Sequence, residues 1–134
     1  MSTPTPGRMA IDSNLAIAIL NGESGLAERL EELGEVLLPA PVLGELLYGA
    51  RRSARVAENE QRVRNLTRVT RFIPCDEAAC EAYGTAKARL MAAGRPIPDN
   101  DLWIAACCLA VGAVLVSRDA HFDAVEGLRR EEWR

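Results

Sequence analysis

The sequence has very few of the residues on which several common catalytic sites depend. Its 134 residues include one histidine, His121, and one lysine, Lys87. A metal-free ribonuclease that uses a histidine acid and a histidine base is therefore excluded by composition. The chain also lacks the G-x-x-x-x-G-K-[ST] phosphate loop and the G-x-S-x-G turn of serine hydrolases. If the protein cleaves phosphodiesters, a metal ion must support the chemistry.

Other kinds of site are disfavoured in the same way. Aromatic residues make up 4% of the chain, which argues against stacking platforms for single-stranded nucleic acids. The four cysteines show no C-x-x-C spacing, and a structural zinc site is hard to assemble with a single histidine. The first residues contain no apolar signal-peptide core, and the longest apolar run, Leu102 to Val116, is too short to span a bilayer. We expect a cytoplasmic protein with no membrane contact.

The net charge of −3 would ordinarily argue against a nucleic-acid partner. The charge is unevenly distributed, however, because one segment is rich in arginine and contains only two glutamates. An acidic protein can therefore still present a basic strip. The arginines of this segment are Arg51, Arg52, Arg55, Arg62, Arg64, Arg68 and Arg71.

Short apolar strands alternate with helices along the chain. This pattern predicts an α/β domain with a mostly parallel sheet covered on both faces. We expect residues 1–7 to be a flexible leader and residues 8–134 to form a single domain. The predicted strands are 8–11, 36–38, 72–74 and 113–117 with a short strand in the tail, and the predicted helices are 15–20, 25–33, 41–50, 55–71, 76–93 and 102–111.

Three aspartates stand where a site would form in such a sheet. Asp12 follows the first strand, Asp119 follows the strand 113–117, and Asp101 precedes a helix. The carboxyl ends of parallel strands meet at one edge of the sheet, so the three side chains can converge there. Each also has a simpler interpretation. Asp12 could only cap a helix, Asp119 could be an ordinary turn residue, and Asp101 could be an acid of the first helical turn, with Asp99 as the helix cap.

Glu45 lies on the helix predicted for residues 41–50, with no basic residue within helical reach. A carboxylate facing an apolar interior without a partner is unfavourable by several kcal/mol or more, so Glu45 must face water, find a partner or hold a metal ion. Carboxylates brought together repel one another, and a divalent cation removes that conflict. Oxygen ligands favour Mg²⁺ or Mn²⁺ over zinc or copper. Such an ion can activate water and neutralise charge that builds up on a phosphate.

Five motifs in the right order resemble those of PIN-domain ribonucleases, specifically the VapC-type toxins of bacterial and archaeal toxin–antitoxin pairs. The resemblance covers nearly the whole chain, from Met9 to Trp133. The motifs are Ile11-Asp12-Ser13-Asn14, Gly44-Glu45-Leu46-Leu47-Tyr48-Gly49, the segment from Pro96 to Ala106, Leu115-Val116-Ser117-Arg118-Asp119, and the ending from Phe122 to Trp133. Two departures are mild, because Ser13 stands where threonine is common and Asp119 where asparagine is often seen.

The resemblance implies a three-layer α/β/α sandwich and a Mg²⁺- or Mn²⁺-dependent endoribonuclease. It places metal-binding acids at Asp12, Glu45, Asp101 and Asp119. It also implies a homodimer that a VapB-type antitoxin inhibits, and hydrolysis that leaves a 5′-phosphate and a 3′-hydroxyl. Supporting hydrogen bonds are implied for Asn14 and Ser117, with Asp99 as a further candidate for such a role.

The arginines are candidates for contacts with RNA. Arg64, Arg68 and Arg71 have the spacing of one helical face, and Arg118 adjoins Asp119. A solvated helix face and an antitoxin contact are the alternatives for the strip, and a surface role is the alternative for Arg118.

Two other functions compete with the enzyme. A receiver-like signalling domain needs a lysine after a late strand, whereas Lys87 lies within a predicted helix. A PIN-like module that binds RNA or protein without cleaving RNA stays open.

Overall fold

The computed structural model describes residues 8–133, so the leader predicted for residues 1–7 lies outside the described residues. A five-stranded, fully parallel sheet with the strand order β3-β2-β1-β4-β5 forms the centre of the molecule. The predicted α/β class is thereby confirmed. The strands are β1 (Met9–Ile11), β2 (Val36–Pro39), β3 (Arg71–Ile73), β4 (Val114–Val116) and β5 (Arg130–Glu131).

The three central strands form the middle of the core. Every residue of β1, β2 and β4 is buried, whereas the edge strands β3 and β5 include exposed residues. Continuous runs of apolar residues are what a parallel sheet needs when helices cover both of its faces. The alternation of strands and helices along the chain thus produces the layered architecture.

Within the described range 8–133, six α-helices flank the sheet. Asp12 caps the first helix by accepting a hydrogen bond from the amide of Leu15, and Asp76 caps the fifth by accepting one from Ala79. These caps satisfy amide groups that have no partner inside the helix. The helices are α1 (Ser13–Leu20), α2 (Leu26–Leu33), α3 (Ala40–Arg51), α4 (Val56–Val69), α5 (Glu77–Ala92) and α6 (Asp99–Val111), and a 3₁₀ helix covers Ala120–Ala124.

Several predicted boundaries differ from the observed ones, and two of the differences change the role of a candidate residue. Helix α6 begins at Asp99, three residues earlier than expected, because the extended backbone of Pro98 provides its cap position and no side chain caps it. Asp99 is therefore a first-turn acid rather than the cap. Helix α4 ends at Val69, and Arg71 belongs to β3, where it pairs with Leu37 of β2. The expectation that Arg71 shares a helical face with Arg64 and Arg68 was therefore wrong as well.

A helix that crosses a membrane must be long and predominantly apolar. Among residues 8–133, no helix has both the length and the apolar character that a span would require.

Candidate metal centre

The register of the sheet brings Asp12 and Ser117 together. Ile11 pairs with Val116 across β1 and β4, so the residues that follow these strands leave the sheet side by side. The Ser117 hydroxyl donates a hydrogen bond to Oδ2 of Asp12, and the Leu15 amide donates to Oδ1 at 2.9 Å. Asp12 therefore caps helix α1 and also contacts Ser117 at the edge of the sheet. Its role as a metal ligand stays a prediction.

Asp12 is 4% exposed and is a buried acidic residue at the end of the central strands. Burial has the largest influence on this carboxyl and raises its pKa above the ordinary value of 3.8. The negative charges of Asp101 and Asp119 raise the pKa further. The hydrogen bonds from Ser117 and Leu15 act in the opposite direction but are outweighed. Ionised Asp12 is therefore held in surroundings where a positive charge would stabilise it.

Asp101 and Asp119 meet at His121. The Nε2 atom of His121 lies 2.8 Å from Oδ2 of Asp101, and its Nδ1 atom lies 2.7 Å from Oδ1 of Asp119. One donor atom from each of the three residues can be chosen so that all lie within 4.8 Å of one another. Asp101 is in the first turn of α6, whereas Asp119 and His121 lie at the start of the 3₁₀ helix. We call Asp12, Asp101, Asp119 and His121 the carboxylate–histidine cluster.

His121 is the functional candidate that sequence reasoning missed. A signal was present, since the only histidine of the chain stands two residues after a candidate metal ligand at the end of a strand. Its contact with Asp101 spans 20 positions of sequence. That contact depends on how α6 packs beside β4, which local sequence patterns do not reveal.

Glu45 lies in α3, outside the carboxylate–histidine cluster. Its side chain is exposed and lines a groove between α1, α3 and α4, together with Asn21, Asn59 and Arg62. The sequence left three surroundings open for Glu45, which were water, a partner or a metal ion. In the structure its side chain faces water. Its role as a metal ligand stays a prediction.

The three residues expected to support the site occupy different surroundings. Ser117 is fully buried, and its hydroxyl also accepts a hydrogen bond from the Asp119 amide at 3.0 Å, so it joins two of the acids. Asn14 is exposed in the first turn of α1. The carboxylate of Asp99 contacts α5 instead, with Lys87 Nζ and the Tyr83 hydroxyl each at 3.2 Å, and these contacts lower its pKa.

The candidate RNA-binding arginines also differ. The guanidinium of Arg118 pairs with both carboxylate oxygens of Glu23, at 2.7 and 3.1 Å, and donates to the Trp133 carbonyl at 2.7 Å. Arg118 thus joins the loop after α1 to the C-terminal segment. Arg64 and Arg68 are exposed on α4, and neither forms an ion pair with another residue in the described range 8–133.

The chemistry of the cluster fits a divalent metal ion. Its carboxylate oxygens are the donors that Mg²⁺ and Mn²⁺ prefer, and the imidazole is acceptable to Mn²⁺. The buried charge of Asp12 supplies an electrostatic reason for a cation to bind. The three other members are 27–37% exposed, so an ion and a substrate can reach them from solvent. The cluster is therefore a possible metal site that is open to solvent.

The model of the PIN domain family matches residues 9–128. Curated relatives align over nearly their whole length. Ribonuclease VapC5 of Mycobacterium tuberculosis is 30% identical, over 95% of this chain and 93% of the relative. The tRNA(fMet)-specific endonuclease VapC of Shigella flexneri is 29% identical, over 94% of this chain and 98% of the relative.

Solved structures agree with this assignment. A chain of VapBC2 from Rickettsia felis, solved with a DNA fragment from the promoter, superposes with a TM-score of 0.89. It is 25% identical in sequence, and the match covers 94% of this chain and 98% of that chain. The predicted three-layer fold and the resemblance to VapC ribonucleases are both confirmed. The chain belongs to the PIN-domain family and, within it, to the VapC ribonucleases.

Proposed function

We propose that this protein is the toxin of a toxin–antitoxin pair and hydrolyses RNA phosphodiester bonds with a divalent metal ion, Mg²⁺ or Mn²⁺, held by Asp12, Glu45, Asp101 and Asp119. The observation that carries the proposal is the convergence of Asp12, Asp101 and Asp119 at the carboxyl ends of adjacent central strands. That is where open parallel sheets bind their ligands. The VapC ribonucleases to which the chain is similar support the reaction class.

Each acid has a distinct part in this proposal. Asp12 has the most constrained side chain of the set, because the Leu15 amide and the Ser117 hydroxyl orient its two carboxylate oxygens. Asp101 and Asp119 are more exposed and would hold the ion where solvent and substrate can approach. Glu45 faces solvent from α3 and would add a fourth carboxylate to the set that holds the ion.

The bound ion supplies an activated water and neutralises charge that builds up on the scissile phosphate. The residues of the chain determine where this happens. Ser117 holds Asp12 and the Asp119 backbone in one arrangement, and the helical turn at Asp99–Leu102 presents Asp101 beside them. We expect products with a 5′-phosphate and a 3′-hydroxyl.

The substrate and partners follow from the same proposal. Arg64 and Arg68 are exposed and would contact the RNA backbone, whereas Arg118 is available for such a contact only if it leaves Glu23. The similar structures are VapBC complexes, which supports a VapB-type antitoxin as the inhibitory partner. A guanidinium from such a partner would satisfy the clustered carboxylates as a metal ion would. A homodimer in the cytoplasm completes the proposal.

The test is cleavage of end-labelled total RNA by purified, antitoxin-free protein with Mg²⁺ or Mn²⁺. We expect discrete fragments that disappear with EDTA and in the Asp101→Asn and Glu45→Gln proteins. Asp123→Asn is the matched control, because Asp123 is an exposed acid of the 3₁₀ helix that pairs with Arg130 outside the cluster. It should retain cleavage.

Intact RNA in every lane would count against general ribonuclease activity. Calorimetry with Mn²⁺ on the same samples would then separate two explanations. Binding that requires Asp101 would indicate a nuclease with a narrow substrate, and no binding would indicate a module that binds RNA or protein without cleaving RNA. Cleavage that persists in Glu45→Gln would remove this residue from the metal site.

A further inference from the structure

The imidazole of His121 lies between two carboxylates of the proposed metal site. Its ring nitrogens are 2.7 Å from Asp119 and 2.8 Å from Asp101, and its side chain is 34% exposed. The same ring lies 5.0 Å from that of Phe122, centroid to centroid. His121 is therefore positioned inside the cluster and is still accessible to an ion that enters from solvent.

The two ring nitrogens are held differently. Asp119 accepts from the His121 amide at 3.1 Å with Oδ1, the same oxygen that faces Nδ1. This turn spans three residues and anchors the ring from its own segment. Nε2 instead faces Asp101 from a different element, and that contact can change without any disturbance of the turn.

A neutral imidazole carries one N–H donor and one lone pair. At 2.8 Å from the carboxylate of Asp101, Nε2 is at the distance of a hydrogen-bond donor. An ion that enters between them would take the place of this proton, and Nδ1 would keep its own proton and donate to Asp119. Metal-binding histidines commonly have this arrangement, in which the second nitrogen donates to a carboxylate that orients the ring. The donor atoms of Asp101 and His121 are also close enough for one ion to contact both.

We propose that Nε2 of His121 is a direct ligand of the divalent ion, beside Asp101, with Asp119 orienting the ring through Nδ1. This inference rests on the proposed function for the existence of the metal site. It makes the ligand set a mixture of oxygen and nitrogen, and it changes the part of Asp119, which would support the ion through the His121 ring instead of binding it directly. Because Mg²⁺ strongly prefers oxygen ligands and imidazole suits transition metals, the site binds Mn²⁺ in preference to Mg²⁺.

The test is pulsed electron paramagnetic resonance of Mn²⁺ bound to the tag-free protein. His121 is the only histidine of the chain, so any imidazole nitrogen coupled to the Mn²⁺ spin belongs to it. We expect a ¹⁴N coupling that changes to a ¹⁵N coupling when the protein is labelled with ¹⁵N-histidine. This readout reports ligation without any need for RNA cleavage.

The affinities of two variants complete the test. His121→Gln should weaken Mn²⁺ binding about tenfold and change Mg²⁺ binding, measured by competition, by much less. Asp123→Asn should bind both ions like the unmodified protein, because Asp123 pairs with Arg130 outside the cluster. Circular dichroism on each variant confirms that the fold is intact.

Each outcome has a defined meaning. Mn²⁺ binding that requires Asp101 but shows no histidine coupling would overturn the inference and leave the proposed metal site standing. Absence of any Mn²⁺ binding would overturn both. Histidine coupling in a protein that leaves all RNA intact would support the inference and count against the proposed ribonuclease.

Discussion

Replacement of Asp12 by asparagine should stabilise the metal-free protein while it removes the activity. Asparagine has nearly the shape of aspartate, can still accept from the Leu15 amide, and can meet the Ser117 hydroxyl with its own amide group. What it lacks is the negative charge, which burial disfavours strongly enough to raise the pKa of Asp12 in spite of two hydrogen bonds. The variant therefore loses an unfavourable buried charge and retains the local packing.

The magnitude follows from opposing contributions. Each hydrogen bond to the carboxylate contributes about 1.5–3 kcal/mol, and burial of the charge is unfavourable by several kcal/mol. Burial outweighs the hydrogen bonds in the structure, so we expect a net gain of about 1–2 kcal/mol, within the range of single stabilising substitutions. For a domain of this length, that gain raises the melting temperature by about 4–8 °C.

The raised pKa of Asp12 determines how the stabilising effect of Asp12→Asn changes with pH. Because the pKa of Asp12 is higher in the folded chain than the 3.8 of an unperturbed carboxyl, the folded state binds the proton more tightly. The stability that this proton binding contributes is fully present below the pKa that Asp12 has in the unfolded chain. It is lost as the pH rises through the pKa that Asp12 has in the folded protein. The advantage of Asp12→Asn should therefore be largest at neutral pH and shrink toward acid.

The assay is thermal unfolding by circular dichroism, in EDTA, across the range from neutral to mildly acidic pH. Asp123→Asn is a control of opposite sign, since Arg130 lowers the pKa of exposed Asp123 and the substitution removes a favourable pair. Added Mn²⁺ should raise the melting temperature of the unmodified protein and leave that of Asp12→Asn nearly unchanged. A metal-free Asp12→Asn protein less stable than the original at neutral pH would refute the reasoning.

Two further predictions concern buried groups. Ser117→Ala should lower the free energy of unfolding, measured in urea, by about 2 kcal/mol. The substitution removes a hydrogen-bond donor to Asp12 and leaves the Asp119 amide without its acceptor. The control is Ser53→Ala, which should have a smaller effect because the Ser53 hydroxyl is less buried. Iodoacetamide at mildly alkaline pH should label the two exposed cysteines and spare the buried Cys107 and Cys108. Burial raises the pKa of the Cys107 thiol to about 12 and also raises the pKa of the Cys108 thiol. Mass spectrometry would count the labels, and rapid labelling of all four thiols in the folded protein would contradict this packing.

The arginine strip shows where local patterns mislead. A helix extended through Arg71 was a reasonable expectation from the periodicity of the segment, yet the chain becomes extended at Thr70 and enters the sheet beside β2. The pairing partner, Leu37, lies far away in sequence. Only the assembled sheet decides whether such a residue ends a helix or begins a strand.

The sequence by itself determined the fold class and indicated several candidate residues of the site. Apolar strands that alternate with helices can be covered on both faces in few ways, and acids that follow parallel strands collect at one sheet edge because those strand ends meet there. Asp12 and Asp119 were predicted for this reason, Asp101 from its place at the start of a helix, and Ser117 only from the resemblance to VapC toxins. Each depends on a short segment whose local structure is encoded nearby.

Only the tertiary structure decided the contacts between distant segments. The pairing of Ile11 with Val116 determines that Ser117 meets Asp12, and the packing of α6 brings Asp101 to His121. The partners of Arg118 and Asp99 were likewise invisible in sequence, since Glu23 lies 95 positions from Arg118 and Lys87 lies on a neighbouring helix. Side-chain pairing depends on distances of a few ångströms between elements, and strand order, register and helix packing determine these distances together.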